Sequence, residues 1–336
     1  METTPFLEIL NTATVSTGNS SDYGISQTPF QVFVITFATL AVVASFLLNP
    51  LMLLTLRRVA SIQTTTKIFM ASLTLSDFCN GIFWVFKLPE LYAAEWLLGD
   101  FLCRVSGVMV NTFHALGIFS LLLLTLDRYI AILFPLRYPR MMTIFRAKLA
   151  VCVTWTTAFI SCILLFGIYD HKIVLQDTPR FCVRRTYSDW RAYVAILVIA
   201  IPLVTIFVIY AHVLLIARRH SRQIAVEISS DQDGRRTLHR INLRSTTTII
   251  IITSTLIITW VPSAILLPIL ASKNFLEYDN IFFAIILPNV LLMSNSWLNV
   301  IIYYLRNRDL RRTIHDVLSD MCHFRKTRDP CHSITL

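Results

Sequence analysis

Seven apolar runs alternate along this chain with short polar segments, at roughly 30–56, 65–92, 101–134, 147–169, 191–217, 245–271 and 279–304. At about 1.5 Å of rise per residue, about 20 apolar residues cross a hydrocarbon core about 30 Å thick, so each run predicts a membrane-spanning helix. The third is the longest, and roughly 37 Å of helix separates Cys103 from Arg128, which puts its two ends on opposite sides of a bilayer. Beyond the seventh run, Leu310, Ile314, Val317 and Leu318 share one face of a helix over 305–320, with Arg311, Arg312 and Asp316 elsewhere; this predicts an amphipathic helix in the inner membrane interface. Residues 1–29 are rich in Thr, Ser and Asn with Glu2, Glu8 and Asp22, too polar to fold alone, and read as a flexible extracellular tail. Residues 321–336 read as a flexible cytoplasmic tail. The expected fold is all-α: a seven-helix transmembrane bundle over 30–304 followed by the short amphipathic helix.

Charge sets the orientation. The first, third and fifth connections carry Arg57, Arg58 and Lys67; Arg137, Arg140, Arg146 and Lys148; and Arg218, Arg219, Arg222, Arg235, Arg236, Arg240 and Arg244. By the positive-inside rule these are cytoplasmic, so the amino terminus is outside and the carboxyl terminus inside. The second connection (Glu90, Glu95, Asp100) agrees, whereas the fourth, with Arg180, Arg184, Arg185 and Arg191, is basic and outside, where its charges serve binding instead. No basic stretch precedes the first run, which is expected to act as the export signal.

Composition narrows the class. Of 336 residues, 55% are hydrophobic and 15% charged, and mean hydropathy is +0.63, which excludes an ordinary soluble domain. A net charge of +10 could suggest nucleic acid, but the basic residues lie in short segments between apolar runs, so no nucleic-acid partner is expected. Of seven cysteines, Cys79, Cys152 and Cys162 fall inside runs and Cys322 and Cys331 in the cytoplasmic tail. Cys103 and Cys182 are left on the oxidising outer side and are expected to bond. Cys322, just past the amphipathic helix, is either palmitoylated or a free thiol. Asn19-Ser20-Ser21 is an N-glycosylation sequon in the extracellular tail.

Several motifs then fall in a telling order: Asp77 mid-span, Asp127-Arg128-Tyr129 followed by Pro135, Leu136 and Tyr138, then Trp155, Pro202, Trp260-Val261-Pro262, and Asn299-Val300-Ile301-Ile302-Tyr303. From about residue 30 to 320 this order resembles the rhodopsin-like G-protein-coupled receptors. The resemblance implies a plasma-membrane receptor, not an enzyme, that passes the binding of an extracellular ligand to a heterotrimeric G protein. Arrestin and receptor kinases would be further partners, with membrane lipids around the bundle. It implies that Asp127 holds Arg128 at rest and that Arg128, Tyr129 and Leu136 meet the G protein. Trp260 would be the switch above the Pro262 bend, with Ile118 and Leu256 packing beside Pro202, and Tyr303 would swing toward Tyr210. Asp77, Asn49, Asn295, Ser296 and Asn299 would form a polar cluster. In relatives it often holds a sodium ion, but Gly117 stands where a hydroxyl ligand is usual, so an ion site and an ion-free hydrogen-bonded clasp are both open.

This chain departs from the family pattern at Asn242, in place of an acidic residue that restrains Arg128 from the sixth span, and at Leu256 and Val300. The first departure predicts elevated basal signalling. The ligand pocket is expected among Val110, Asn111, His114, Arg184, Trp260, Ala264, Asn289 and Met293, with Lys87 and Glu90 near the outer rim either pairing together or facing ligand. Val110 stands where amine receptors carry an Asp, and Met293 where opsins carry the retinal lysine, so a monoamine or retinal ligand is not expected. His114 is either a ligand contact or a structural hydrogen-bonding group. A ligand-scavenging or constitutively active protein is the alternative reading. A transporter or channel would need repeats, broken helices or a longer polar path.

Overall fold

The computed structural model describes residues 28–93, 95–164, 182, 190–227, 255, 258–262, 265 and 286–328. Within them lie α1 (Pro29–Arg58), α2 (Thr64–Val85), α3 (Leu88–Ala93), α4 (Gly99–Leu133), α5 (Tyr138–Met141), α6 (Ile144–Cys162), α7 (Trp190–Glu227), α8 (Leu287–Arg306) and α9 (Arg308–Arg328), with 258–262 also helical. Five of the described helices contain stretches long and apolar enough to cross a membrane: α1, α2, α4, α6 and Leu197–Ile216 of α7. Helix α8 is less apolar because it carries Ser294, Asn295, Ser296 and Asn299, all buried within the bundle.

The ends have local causes. Thr28 and Gln31 exchange side-chain and main-chain bonds of 3.3 and 2.9 Å in a capping box ahead of α1, with Pro29 in the first turn. Arg57 and Arg58 occupy the last turn of α1, where cations favour the helix dipole. Asn307 Oδ1 accepts from the main-chain N–H of Asp309 and Leu310 at 3.0 and 3.1 Å, separating α8 from α9 with a cap.

Three boundaries differ from the sequence expectation, one of them at the fifth run, expected to end at 217 but helical to Glu227 in α7. The second apolar run was expected to 92, but α2 ends at Val85, the chain turns, and α3 begins at Leu88, where Lys87, Pro89 and Glu90 interrupt the apolar run. The amphipathic helix continues past 320 to Arg328, into the stretch read as a flexible tail. Its expected apolar face is partly correct: Leu310, Ile314 and Val317 are buried against the bundle, while Leu318 is exposed.

Helix α4 is the central post, touching α2, α6, α7 and α8, and α1 packs on α2, α8 and α9. The inner core gathers Met52, Phe69, Leu73, Ile118, Ile206 and Trp260. Helices α1 and α2 approach closely at Gly81, where a Cβ would sit 2.9 Å from Ser45 Oγ. Phe33, Leu40, Leu47 and Leu54 on α1 face outward, as a lipid-facing surface requires.

Candidate functional site

Four levels of chemistry lie along α4. At the outer end Cys103 and Cys182 are disulfide-bonded with Cα atoms 5.6 Å apart, as the topology predicted, and the buried Trp96 packs on the bond.

One level deeper, Val110, His114 and Leu121 are buried along one face of α4, the face read from helical spacing. The His114 and Trp260 rings meet edge to face with centroids 6.5 Å apart. Among the described residues, neither His114 Nε2 nor Trp260 Nε1 has a hydrogen-bond partner, although both are buried. Asn111 turns its amide back onto the Gly107 carbonyl at 2.8 Å. Met293 is fully buried and Asn289 half-buried on α8. Arg184, Leu256 and Ala264 lie outside the described residues, as do Asn19 and Asn242, and Cys322 lies on α9 with its side chain outside them.

Mid-membrane, Asp77 Oδ2 accepts from Asn299 Nδ2 at 3.1 Å. Asn49 Nδ2 donates to the Ser45 carbonyl and Oγ, both at 3.0 Å, and to the Ser296 carbonyl at 3.3 Å. Asn80, which the sequence reading did not include, donates to Ser296 Oγ at 3.1 Å. The amide oxygens of Asn49, Asn80 and Asn295 are buried without donors among the described residues. A Cβ at Gly117 would lie 3.6 Å from Asp77 Oδ1, so there is room for a side chain at that position. Carboxylate and amide oxygens together are the donor set a hard cation takes.

At the inner end the Asp127 side chain is 0% exposed and Arg128 45%. Arg128 donates to Asp127 Oδ2 through Nη2 at 2.7 Å and Nε at 3.1 Å. Thr66 Oγ1 donates to the same oxygen at 2.7 Å, and Tyr138 to Oδ1 at 2.7 Å. Arg128 Nη2 also reaches Gln63 Oε1 at 3.5 Å and Thr66 Oγ1. Thr66, Gln63 and Tyr138 as latch partners were not read from sequence, since each comes from another segment. Tyr129 bonds His212 Nδ1 at 2.9 Å, and Tyr210 bonds Thr125 at 3.3 Å. Leu136 is 94% exposed between α4 and α5. Tyr210 and Tyr303 both pack on the inner core that holds Ile118 and Trp260, and Pro202 of α7 is buried. Pro262 is half-buried two residues past Trp260. Val300 is buried within an uninterrupted α8.

The family model described as 7 transmembrane receptor (rhodopsin family) matches residues 48–303. Similar proteins include the cannabinoid receptor 1 of Taricha granulosa, 28% identical over 263 residues, which is 72% of this chain and 53% of that protein. The galanin receptor 2b of Danio rerio is 26% identical over 333 residues, 98% of this chain and 85% of that protein. The trissin receptor of Drosophila melanogaster is 26% identical over 171 residues, 51% of this chain but 23% of that protein. Against the trissin and cannabinoid relatives the chain thus spans about a quarter to about half of their length.

Proposed function

Because the chain belongs to the rhodopsin family of seven-transmembrane receptors, we propose that it converts the binding of an extracellular ligand into activation of a heterotrimeric G protein. It is a multi-pass membrane protein, and the basic inner connections together with the Cys103–Cys182 bond support an external amino terminus. The observation that carries the reading is the Asp127–Arg128 pair, one carboxylate fully buried and its cation nearly half exposed. That pair ends the helix whose outer half presents His114 to Trp260.

In this mechanism a ligand between the spans shifts packing around Trp260, and the sixth span moves outward. Arg128 then leaves Asp127 for the G-protein carboxyl terminus, with the exposed Leu136 as an apolar anchor beside it. Arrestin and receptor kinases would use the same cytoplasmic face. The resting latch closes through Thr66, Gln63 and Tyr138 on the second span and second inner connection. At the polar cluster, Asp77, Asn295, Ser296 and Asn299 would hold a sodium ion, which would supply positive charge beside the carboxylate. The gap at Gly117 leaves such a site one hydroxyl short.

The test is ligand-free G-protein dissociation in cells expressing this chain, against a surface-matched Arg128→Ala variant across Gα families. Basal signal that disappears in the variant supports coupling and names the transducer. Silence in both, and across a broad ligand panel, would favour the scavenging reading.

A further inference from the structure

We propose that Lys87 and Glu90 form a clasp that grips both main-chain polar groups of Cys182, fixing where the fourth connection crosses the outer end of α4. The disulfide restrains Cys182 through its side chain alone. Its N–H donates to Glu90 Oε1, and its carbonyl accepts from Lys87 Nζ at 3.2 Å. Lys87 Nζ also lies 3.6 Å from Glu90 Oε2 and 5.0 Å from the centre of the Trp96 ring. The two side chains are 17% and 8% exposed.

The break between α2 and α3 creates this arrangement. Lys87 sits in the turn and Glu90 in the first turn of α3, three residues apart, so both reach toward residue 182. A buried ion pair is not in itself a source of stability, because desolvating two charges offsets most of their attraction unless the remaining hydrogen-bonding capacity is filled. Here it is filled by one peptide unit on each side of a single residue, with the Trp96 face covering the ammonium. The requirement is directional: position 90 must accept and position 87 must donate. It follows that the Lys87 charge is already engaged at the rim and is not the counter-ion for a ligand acid.

The clasp rests on the receptor reading only in calling this rim the mouth of a ligand pocket, and the test needs neither ligand nor G protein. Hydrogen–deuterium exchange of the full-length protein in lipid nanodiscs reads the Cys182 N–H directly. Glu90→Ala is expected to speed its exchange at least tenfold, Glu90→Gln, which keeps an acceptor, less than threefold, and Lys87→Arg is expected to stay near wild type. The charge-reversed pair Lys87→Glu with Glu90→Lys restores opposite charges but reverses donor and acceptor, so it is expected to exchange as fast as Glu90→Ala. Protection restored by the reversed pair would reduce the contact to a plain ion pair and overturn the clasp, as would unchanged exchange in Glu90→Ala. If Glu90→Ala does not reach the cell surface, Lys87→Met, which keeps the length of the side chain but cannot donate, decides against Glu90→Gln: a Cys182 amide as protected in Lys87→Met as in wild type overturns the proposal, and faster exchange in Lys87→Met than in Glu90→Gln upholds it.

Discussion

The hydroxyl of Tyr138 donates to the Oδ1 of Asp127 over 2.7 Å, so a residue of α5 helps hold the carboxylate with which Arg128 pairs. The same hydroxyl meets Thr65 Oγ1 at 2.8 Å, and Thr66 supplies a donor to the other carboxylate oxygen. Tyr138→Phe keeps the buried ring and removes one bond to a charged acceptor, worth about 1.5–3 kcal/mol. Asp127 retains its other donors, so we expect ligand-free signalling to rise about threefold, equivalent to about 0.7 kcal/mol. G-protein dissociation at matched surface level checks this, and no rise would show that Tyr138 is mere packing.

Gly117 leaves space beside Asp77 that a serine can fill, its Cβ 3.6 Å from Oδ1 in ordinary contact. Gly117→Ser should also gain helix propensity of about 0.5 kcal/mol over glycine. The variant is expected to melt a few degrees higher and to gain more from sodium than the natural chain, measured in sodium against choline chloride. Equal sodium responses would remove the added hydroxyl from any ion site.

Removing the Cys103–Cys182 bond releases a cross-link that spans 79 residues of sequence. Native disulfides contribute about 2–5 kcal/mol in small secreted domains, and a helical bundle held by lipid should fall at the lower end. Cys103→Ser, Cys182→Ser and the double variant are expected to lose similar surface expression and thermal stability. A double variant far worse than either single one would argue for separate roles.

Val300→Pro tests the family's missing proline. Proline inside a helix costs about 3 kcal/mol, partly because it frees the carbonyl four residues earlier. Here that carbonyl belongs to Ser296 and already accepts from Asn49 at 3.3 Å. The expected loss is therefore smaller, about 1–2 kcal/mol, and should grow in an Asn49→Ala background if Asn49 supports the freed carbonyl. Thermal melting of the single and double variants measures the coupling, and additive losses would dismiss it.

His114→Phe should stabilise the ligand-free protein. It removes a buried nitrogen that has no partner among the described residues, a group that costs about 1–3 kcal/mol when unpaired, and keeps an aromatic ring against Trp260. A rise in melting temperature is the expected outcome; a fall would reveal a bond that His114 makes through ordered water.

Much of the membrane architecture was legible without coordinates because hydropathy and charge act over a local window. The apolar runs predicted the spans and the basic connections an expected direction, and it was from that expected direction that Cys103 and Cys182 were paired. The adjacency of Asp127 and Arg128 was equally plain. Only the tertiary structure decided what completes each site. Thr66 and Tyr138 around Asp127, Asn80 beside Ser296, and the main chain of Cys182 between Lys87 and Glu90 all come from segments that sequence does not place side by side. The end of α2 at Val85 was marked in the sequence by Lys87, Pro89 and Glu90 but read through as one apolar run, and the extension of α9 to Arg328 was hidden because it is a polar helix. Periodicity reports which face of a helix is apolar. Which buried polar atom meets which donor depends on how the helices pack, because a lone pair inside a membrane is satisfied by whatever packing brings within 3 Å or so.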